Sequence, residues 1–473
     1  MNGSTLAVDV GTSVIKAAVV SPTGAHGEVT ERPAALHRQR DGIVEQDIDE
    51  VRRTVLEVVQ ATAARSLTPI TALAVTGQGD GLWLRDAAGA PVRRAISWMD
   101  SRATGIVDEW REGIGEDVYR ATGSSIFPGS PAALLAWLDR HEPATLDRAA
   151  IAGRCVDAVA EHLTGVALPD AADVSAPFLD VAKRRYHEWA IGRCGLEGRR
   201  DLLAEPAAPG AHAPLRSDIA QALGLPADIP VHSGPYDVVA SHYGAGAHLD
   251  GNGVVVLGTT LSCQRLTAPP VAPVDGEPAG GYLATPTTGR ALRIMPSMVG
   301  TPAIDWLHRI LGTAREDLDG MLEASTAGAH GVTALPFLSP AGERAPFVAG
   351  HVRARFDGLE LATDRQDLMR ALCESIAFAA RSCLDRLGDV RAVTGVGGGF
   401  RSRRLAQLFA DVLGVPLLLP RTDQVGIRGA AVLAGTVADR LPDAVLLEPD
   451  ARTADHYDAA FARYLDTVAE VRR

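Results

Sequence analysis

Residues 5–20 read TLAVDVGTSVIKAAVV, and this stretch decides how the rest of the chain is interpreted. Two short apolar segments rich in β-branched residues flank a turn, which predicts a β-hairpin. The turn contains Gly11, Thr12 and Ser13, which together offer free backbone N–H groups and two hydroxyls. We therefore predict a phosphate-binding turn, with Lys16 following on the second strand. A plain hairpin turn is the alternative interpretation.

A second stretch repeats this pattern in the other half of the chain. Residues 253–266 read GVVVLGTTLSCQRL, which places Gly258, Thr259 and Thr260 between two further apolar segments. Two opposed hairpins of this kind can hold a triphosphate from both sides. The repeat therefore predicts two related domains, each presenting a phosphate-binding turn.

The length of the chain also favours two domains, because 473 residues exceed what one hydrophobic core usually organises. Residues 206–235 are rich in Ala, Pro and Gly, which is typical of a loop and connector rather than of core structure. We therefore predict an N-terminal domain over residues 1–240 and a C-terminal domain over residues 241–473.

The overall composition limits the kinds of partner. A formal net charge of −12 argues against nucleic acid and anionic membranes as partners and favours a small soluble ligand.

The N-terminus resembles no signal sequence and no apolar run reaches membrane-spanning length, so we expect a cytoplasmic protein. Five widely spaced cysteines predict reduced thiols rather than a disulfide framework or a zinc site.

Two carboxylates stand out as chemically active. Asp9 lies at the end of an apolar strand, where a charge is costly unless it meets a cation or good donors, and a water-mediated Mg²⁺ contact would explain it. Asp237 follows a turn at the start of a helix-like segment, which suits a base that faces a cleft. The alternatives are a hydrogen bond from Asp9 to its own turn and a helix N-cap role for Asp237.

Glycine-rich segments present further polar and aromatic groups. Gln78, Asp80 and Trp83 follow a predicted buried strand, TALAVTG, and Trp98 and Asp100 follow in AISWMDSRA. Hydrogen-bonding groups next to aromatic rings are suited to a polyhydroxylated ligand.

Another glycine-rich turn occurs near the C-terminus. Gly397, Gly398 and Gly399 lie between a predicted strand and a helix capped by Ser402, where a flat ring or a ribose could lie against the backbone. A tight strand-to-helix turn is the alternative. The P-loop and dinucleotide fingerprints are absent from the sequence, so those two classes of nucleotide site lose their main support.

Capping patterns predict where several helices begin. Asp47 with Glu50 and Thr363 with Gln366 have the spacing of capping boxes. Gly414 predicts the end of the helix that Ser402 begins.

Seven motifs occur in the order found in the FGGY family of carbohydrate kinases, which the chain resembles over nearly its whole length. They are DVGTSVIK (9–16), GQGDGLW (77–83), ISWMDSRA (96–103), GPYD (234–237), LGTT (257–260), GERAPF (342–347) and GVGGGFRS (395–402). The resemblance implies an α/β chain with the actin-like ATPase fold, in which two ribonuclease-H-like domains enclose ATP and sugar in a central cleft. It also implies Mg²⁺ and phosphoryl transfer.

The resemblance further implies roles for individual residues. Asp237 matches the base that takes the proton of the substrate hydroxyl, and Asp9 and Asp237 match the carboxylates beside the metal. The positions that match phosphate and nucleotide contacts are Gly11, Thr12, Ser13, Lys16, Thr259, Thr260, Gly300, Gly398, Gly399 and Ser402. The positions that match the sugar-facing loops are Gln78, Gly79, Asp80 and Asp100.

Departures from the family pattern bear on the substrate. Gly79 and Asp80 stand where xylulokinases usually carry a Met-His pair, and the Arg-Glu pair typical of glycerol kinases is missing. GQGDGLW, GERAPF and the segment 354–359 look like the L-xylulose and erythritol kinase branch. The resemblance therefore implies a four- or five-carbon ketose or polyol, with Asp80 accepting hydrogen bonds from its hydroxyls. Homodimers, frequent in the family, are a possible assembly.

Other functions compete with this interpretation. Within the family the alternative is a xylulokinase or another pentulose kinase. Outside catalysis, the chain could be a sugar- and ATP-binding protein, or a sugar-sensing regulator, which would need an added DNA-binding domain. An NAD-dependent polyol dehydrogenase would act on similar substrates, but its glycine fingerprint is absent from the sequence.

Overall fold

Strands and helices alternate along the chain. The computed structural model describes residues 3–39, 41–111, 113–287, 289–340 and 342–473. The strands are β1 (Ser4–Val10), β2 (Val14–Val20), β3 (Thr30–Pro33), β4 (His37–Arg38), β5 (Val44–Gln46), β6 (Ile70–Gly77), β7 (Trp83–Arg85), β8 (Ala95–Ile96), β9 (Ile151–Gly153), β10 (Leu179–Asp180), β11 (Arg185–Tyr186), β12 (His212–Pro214), β13 (Pro230–Tyr236), β14 (Gly253–Leu257), β15 (Leu261–Thr267), β16 (Gly281–Ala284), β17 (Ala291–Ser297), β18 (Thr333–Leu335), β19 (Arg355–Asp357), β20 (Val393–Val396), β21 (Leu417–Pro420) and β22 (Ala444–Leu447).

The α-helices follow the same chain order. They are α1 (Ile48–Ala64), α2 (Thr104–Trp110), α3 (Ile114–Thr122), α4 (Pro131–His141), α5 (Pro143–Arg148), α6 (Cys155–Thr164), α7 (Glu188–Arg193), α8 (Ser217–Leu223), α9 (Asp237–Gly244), α10 (Ala247–Asp250), α11 (Thr301–Leu311), α12 (Leu318–Ala324), α13 (Arg365–Leu387), α14 (Arg403–Leu413), α15 (Val425–Leu433) and α16 (Ala454–Val471).

The chain divides into two compact units. Unit 1 comprises Met1–Gly246, Thr267–Leu292 and Gln424–Arg440. Unit 2 comprises Ala247–Leu266, Arg293–Asp423 and Leu441–Arg473. The boundary expected near residue 240 lies close to the end of the first segment of unit 1. Its two later segments carry no sequence signal that would assign them to it.

A six-stranded sheet forms the centre of unit 1, in the order β12-β13-β6-β1-β2-β3. Strand β1 pairs antiparallel with β2 and parallel with β6, which confirms the predicted first hairpin and the buried strand TALAVTG. Strand β6 also pairs parallel with β13. The carboxyl ends of three parallel strands therefore meet at one edge of the sheet.

The two faces of β1 have different neighbours. Leu6, Val8 and Val10 belong to a buried apolar cluster that also takes in residues of α1, α6 and α8. Ala7 belongs to a second cluster, with Ile427 and other residues of α15. Because side chains alternate along a strand, Asp9 shares the face of Ala7 and points toward the side covered by α15.

The prediction that residues 206–235 form a connector is wrong. This stretch contains β12, α8 and most of β13, a strand that pairs parallel with β6 inside the sheet. Pro230 is the first residue of β13, and the pairing with β6 is interrupted between Ser233 and Tyr236, where Gly234 and Pro235 lie. Both prolines therefore lie at positions where a strand tolerates a missing N–H donor. Because proline and glycine are typical of loops, the sequence pattern did not predict a strand here.

Unit 2 repeats the arrangement of unit 1. Strand β14 pairs antiparallel with β15 and parallel with β20, and β20 pairs parallel with β21. The strand order β15-β14-β20-β21 therefore corresponds to β2-β1-β6-β13 in unit 1. The predicted second hairpin and the relation between the two domains are both confirmed.

Two of the predicted helix starts are confirmed. The Asp47 carboxylate accepts a hydrogen bond from the Glu50 N–H at 2.9 Å and caps α1. The Ser402 hydroxyl accepts one from the Leu405 N–H at 3.0 Å and caps α14, which ends at Gly414 as predicted.

The predicted start of α13 is wrong by one residue. Its capping box consists of Asp364 and Asp367. The Thr363 hydroxyl instead accepts a hydrogen bond from the Glu360 N–H at 2.9 Å, so it serves the preceding turn.

Helices α9 and α15 pack against each other through glycine. A Cβ atom on Gly244 would lie 1.8 Å from the Val425 carbonyl oxygen, and one on Gly429 would lie 1.7 Å from the Ala240 carbonyl oxygen. Since α9 begins at Asp237, this contact fixes the element that carries the candidate base.

We expect Gly429→Ala to lower the free energy of unfolding of unit 1 by about 1–3 kcal/mol, because the added methyl group forces the two helices apart. Urea unfolding followed by circular dichroism and tryptophan fluorescence measures the change. Gly192→Ala in α7 is the control, since nothing lies within 4 Å of a Cβ there. That control should be neutral or slightly stabilising. Equal stability of the two variants would contradict the close packing of α9 against α15.

Candidate functional site

The turn of the first hairpin is held by a buried hydrogen-bond network. The Thr12 hydroxyl donates to Gln78 Oε1 at 3.0 Å and accepts from Trp98 Nε1 at 2.9 Å. Gln78 Nε2 donates to Gln46 Oε1 at 2.8 Å, and Gln46 Nε2 donates to the Thr12 carbonyl at 3.3 Å. Gln78 was expected to face a sugar, but it is only 3% exposed and both ends of its amide are bonded inside the protein. It therefore orients the turn.

The other residues of this turn lie at the surface. Gly11 is half-buried and the Ser13 side chain is exposed. Lys16 lies on β2 directly opposite Asp9 in the antiparallel pairing. The structure thus brings all four predicted phosphate residues of unit 1 to the end of β1.

Asp9 is a carboxylate in a crowded environment. Burial raises its pKa to about 6, and the positive charge of Lys16 opposes that rise. Its Oδ1 atom is buried and has no hydrogen-bond partner among the described residues. A Cβ on Gly426, at the start of α15, would lie 3.1 Å from its other oxygen. The Asp9 carboxylate therefore faces the amino-terminal end of a helix, which favours negative charge.

Asp237 is the first residue of α9, and Tyr236 is the N-cap, so the alternative N-cap role for Asp237 does not apply. Burial raises its pKa well above the usual range, the charge of Asp9 raises it further, and a hydrogen bond from the Val238 N–H opposes the rise. Asp9 and Asp237 thus lie close enough for their charges to interact. Such a pair can share a cation, or one member can hold a proton.

The predicted sugar loop lies beside Asp237. The Tyr236 hydroxyl donates to Asp80 Oδ2 at 3.2 Å, and the charge of Asp80 contributes to the raised pKa of Asp237. Asp80 has φ = 51°, a left-handed conformation that is uncommon outside glycine. A Cβ on Gly79 would lie 2.5 Å from the Tyr236 ring, so glycine lets the ring pack on the loop. Tyr236 was not singled out from the sequence, although it lies in the GPYD motif.

Asp100 was also expected to face the sugar, but both oxygens of its carboxylate accept hydrogen bonds from within the protein. Its carboxylate accepts hydrogen bonds from the Val44 N–H at 2.6 Å, the Arg102 N–H at 2.9 Å and Arg102 Nε at 2.8 Å. Arg102 in turn donates to Glu45 at 2.7 Å. The side chain of Asp100 therefore holds the segment that presents Trp98.

In unit 2 the second turn contacts the start of α11. The Thr301 N–H and hydroxyl both donate to the Gly258 carbonyl, at 2.8 and 3.0 Å. A Cβ on Gly300 would lie 2.3 Å from the Thr259 carbonyl oxygen, so only glycine allows this approach. Thr259, Thr260 and Gly300 thus lie together in unit 2.

The glycine triplet lies next to the same turn. A Cβ on Gly399 would lie 2.5 Å from the Leu257 side chain, which directly precedes the turn, whereas nothing lies within 4 Å of a Cβ on Gly398. The Ser402 hydroxyl caps α14 and is hydrogen-bonded to Asp319. Gly398 therefore borders open space, whereas the Ser402 hydroxyl is hydrogen-bonded at the start of α14.

Glu343 supports this region of unit 2, and sequence reasoning assigned it no role. It is buried and accepts hydrogen bonds from the Ser297 hydroxyl and the Met298 N–H, both at 2.7 Å, and from the Arg344 N–H at 2.8 Å. These bonds fix the loop that leads to Gly300. The sequence feature that could have pointed to Glu343 is the GERAPF motif, in which this glutamate lies close to apolar residues.

Three further features of the described residues bear on function. The five cysteines are buried and free. No group of three or more His, Cys, Asp or Glu side chains in the described ranges could hold a metal ion. None of the helices described is long and apolar enough to cross a membrane.

Sequence comparison finds kinases of sugars and polyols. The chain is 30% identical to erythritol kinase of Brucella abortus, over 97% of this chain and 94% of that protein. It is 27% identical to L-xylulose/3-keto-L-gulonate kinase of Escherichia coli, over 91% of this chain and 87% of that protein.

Solved structures of kinases share the fold. A xyloylose kinase from Brucella ovis matches with a TM-score of 0.87 and 27% identity, over 98% of each chain. A ligand-bound xylulose kinase from Lactobacillus acidophilus matches with a TM-score of 0.90 and 20% identity, over 98% of this chain and 97% of that one. The chain therefore has the actin-like ATPase fold with two domains.

Family models cover most of the sequence. The N-terminal domain of the FGGY family of carbohydrate kinases matches residues 4–244, and its C-terminal domain matches residues 254–438. The chain belongs to the FGGY family of carbohydrate kinases.

Proposed function

We propose that this carbohydrate kinase transfers the γ-phosphoryl group of ATP to a hydroxyl of a small polyol or ketose of the erythritol or L-xylulose type. The observation that carries the proposal is the pair of interacting carboxylates, Asp9 and Asp237, beside the turn of the first hairpin. The two relatives named above support the substrate class, because one is an erythritol kinase and the other an L-xylulose/3-keto-L-gulonate kinase.

Asp237 is assigned as the general base. Burial and the charge of Asp9 raise its pKa, so its carboxylate has a higher proton affinity than an exposed aspartate. A base is most effective when its pKa lies near the working pH, and a positive charge placed beside Asp9 would bring the pKa of Asp237 back toward that range. Asp237 would accept the hydroxyl proton as the substrate oxygen attacks phosphorus.

Asp9 and Asp237 are suited to Mg²⁺. Carboxylate oxygens are its preferred protein ligands, and it is commonly held by one or two carboxylates together with substrate phosphates. Asp9 Oδ1, buried without a partner in the described structure, is a suitable acceptor for the ion or one of its waters. Bound Mg²⁺ would supply neutralisation of the phosphate charge that develops during transfer.

The turns of the two hairpins and the neighbouring loops are assigned to ATP and to the substrate. We assign the amides and hydroxyls of Gly11–Ser13 in unit 1, and of Thr259 and Thr260 in unit 2, to the phosphates of ATP. The open backbone at Gly398 suits the ribose or adenine. Asp80 is assigned to the substrate hydroxyls, and its left-handed backbone is the kind of strain that occurs at binding sites. Gln78 and Asp100 are assigned supporting roles, since their hydrogen bonds lie within the protein.

We expect Asp237→Asn to lower kcat by about 10²-fold to 10⁴-fold, because the amide cannot accept the proton. A coupled ADP-release assay with Mg²⁺-ATP, run on tetritols, pentitols, ketopentoses, ketohexoses and glycerol, measures the loss and identifies the substrate. Asp218→Asn is the control, because Asp218 is an exposed carboxylate of unit 1 that pairs with Arg216 at 2.7 Å. Near-normal turnover by a folded Asp237→Asn variant would remove Asp237 from the role of base.

We expect Thr12→Val to reduce kcat/KM for ATP by about 10-fold or more, because losing the hydroxyl leaves Gln78 and Trp98 without their partner at a cost of about 1–3 kcal/mol. Thr12→Ser keeps the hydroxyl and should stay near the wild-type value. The same coupled assay with varied ATP makes the comparison. Equal values for the valine and serine variants would show that the network does not orient the turn.

A further inference from the structure

One buried carboxylate of unit 1 has no role in the function proposed above. Asp173 lies in a turn after α6, and the residue is only 4% exposed. Both of its carboxylate oxygens are buried, and neither has a hydrogen-bond partner among the described residues. Buried polar groups in folded proteins are nearly always hydrogen-bonded, so this carboxylate needs an explanation.

The protein satisfies a neighbouring carboxylate completely. Asp157 pairs with Arg85 at 3.1 Å and accepts a hydrogen bond from the Arg154 N–H at 2.6 Å. At Asp173, burial raises the pKa well above the usual range, the charge of Asp157 adds to the rise and the charge of Arg154 opposes it. Leaving such a group without donors costs stability unless a ligand supplies them.

The charge of Asp173 acts on a group that contacts the network of the first turn. Gln78 Nε2, part of the network that orients the first turn, is 3.8 Å from the Cys155 thiol and donates to it. Burial raises the pKa of this thiol, and among the charges that act on it are those of Asp173 and Asp237. The charge of Asp237 acts on Asp173 as well. The unpartnered carboxylate therefore shares its surroundings with the proposed base.

The turn around Asp173 is held in place. The Ser175 hydroxyl donates to the Ala171 carbonyl at 2.6 Å and accepts from the Ala284 N–H at 2.8 Å. The Asp170 carboxylate accepts from the Ala172 N–H at 2.8 Å. Hydrogen bonds on both sides of Asp173 therefore fix the turn that carries it.

We propose that Asp173 is a substrate-binding residue, which accepts hydrogen bonds from hydroxyls of the polyol or ketose other than the one that is phosphorylated. The inference rests on the proposed function. Adjacent hydroxyls supply donors to Asp173, and their oxygens can accept from Arg154, whose buried Nε also lacks a partner among the described residues. A ligand with several neighbouring hydroxyls therefore matches both groups, whereas a sugar acid would place a second negative charge beside Asp173.

The test compares Asp173→Asn and Asp173→Leu with the wild type. We expect KM for erythritol or L-xylulose, whichever the wild type turns over, to rise by about 10-fold to 100-fold in both variants, with KM for ATP unchanged. In the absence of sugar, Tm should stay near the wild-type value in Asp173→Asn and should stay the same or rise in Asp173→Leu, because only leucine removes the unsatisfied buried polar group. The increase in Tm that the sugar gives the wild type should disappear.

Asp170→Asn is the matched control, since this nearby carboxylate already accepts a hydrogen bond from its own turn. It should keep the wild-type KM for the sugar. A merely structural Asp173 would show the opposite pattern, with a lower Tm and an unchanged KM, and that result would overturn the inference. Should Asp173→Leu fail to fold, a wild-type KM and Tm response in Asp173→Asn would also overturn it. If the wild type turns over no member of the panel, the proposed function itself fails, and this inference fails with it.

Discussion

The interaction between the charges of Asp9 and Asp237 is the constraint on which the site in unit 1 depends. Burial raises the pKa of both carboxylates. The charge of Asp9 makes ionisation of Asp237 harder still, while the charge of Lys16 offsets part of the cost at Asp9. A folded chain can hold such a pair only where rigid elements prevent the two from separating. Here β1 carries one carboxylate and the first turn of α9 carries the other. Holding the two carboxylates together costs folding stability, but it creates a local negative potential that favours binding of a positive charge.

The close packing of α15 makes this arrangement possible. Gly426 gives room to the Asp9 carboxylate, and Gly429 lets α15 approach the backbone of α9. The helix comes from the segment Gln424–Arg440, which lies far along the chain from the other parts of unit 1. The surroundings of Asp9 in unit 1 are therefore complete only when the segment Gln424–Arg440 packs against the rest of the unit. Closing a loop of this length costs conformational entropy, which the packing of the segment must offset.

The parts of the fold that the sequence predicts are those set by local patterns. Both hairpins follow from apolar segments around a turn, and Asp47 and Ser402 cap helices because the side chain and the N–H group are near neighbours in sequence. Strand β13 could not be predicted, because Pro230 and Pro235 break its pattern and only its position beside β6 makes it a strand. The return of Gln424–Arg440 to unit 1 likewise depends on packing between distant segments.

The site was predictable in its residue types but not in the use of each side chain. Gln78 and Asp100 have the right chemistry to bind hydroxyls, yet their hydrogen-bonding capacity is taken up by Thr12, Gln46, Val44 and Arg102. Which lone pairs stay available is decided by tertiary contacts that a sequence pattern does not contain.

Hydrogen-bond satisfaction separates two kinds of buried carboxylate in unit 1. Asp100 and Asp157 meet arginines and backbone amides, whereas Asp9 and Asp173 keep buried oxygens without partners among the described residues. A chain that satisfies the first pair so fully has the means to satisfy the second. Under the two proposals made above, donors or a cation that arrive with a ligand would recover the free energy lost at Asp9 and Asp173, and binding energy would be gained at these unsatisfied atoms.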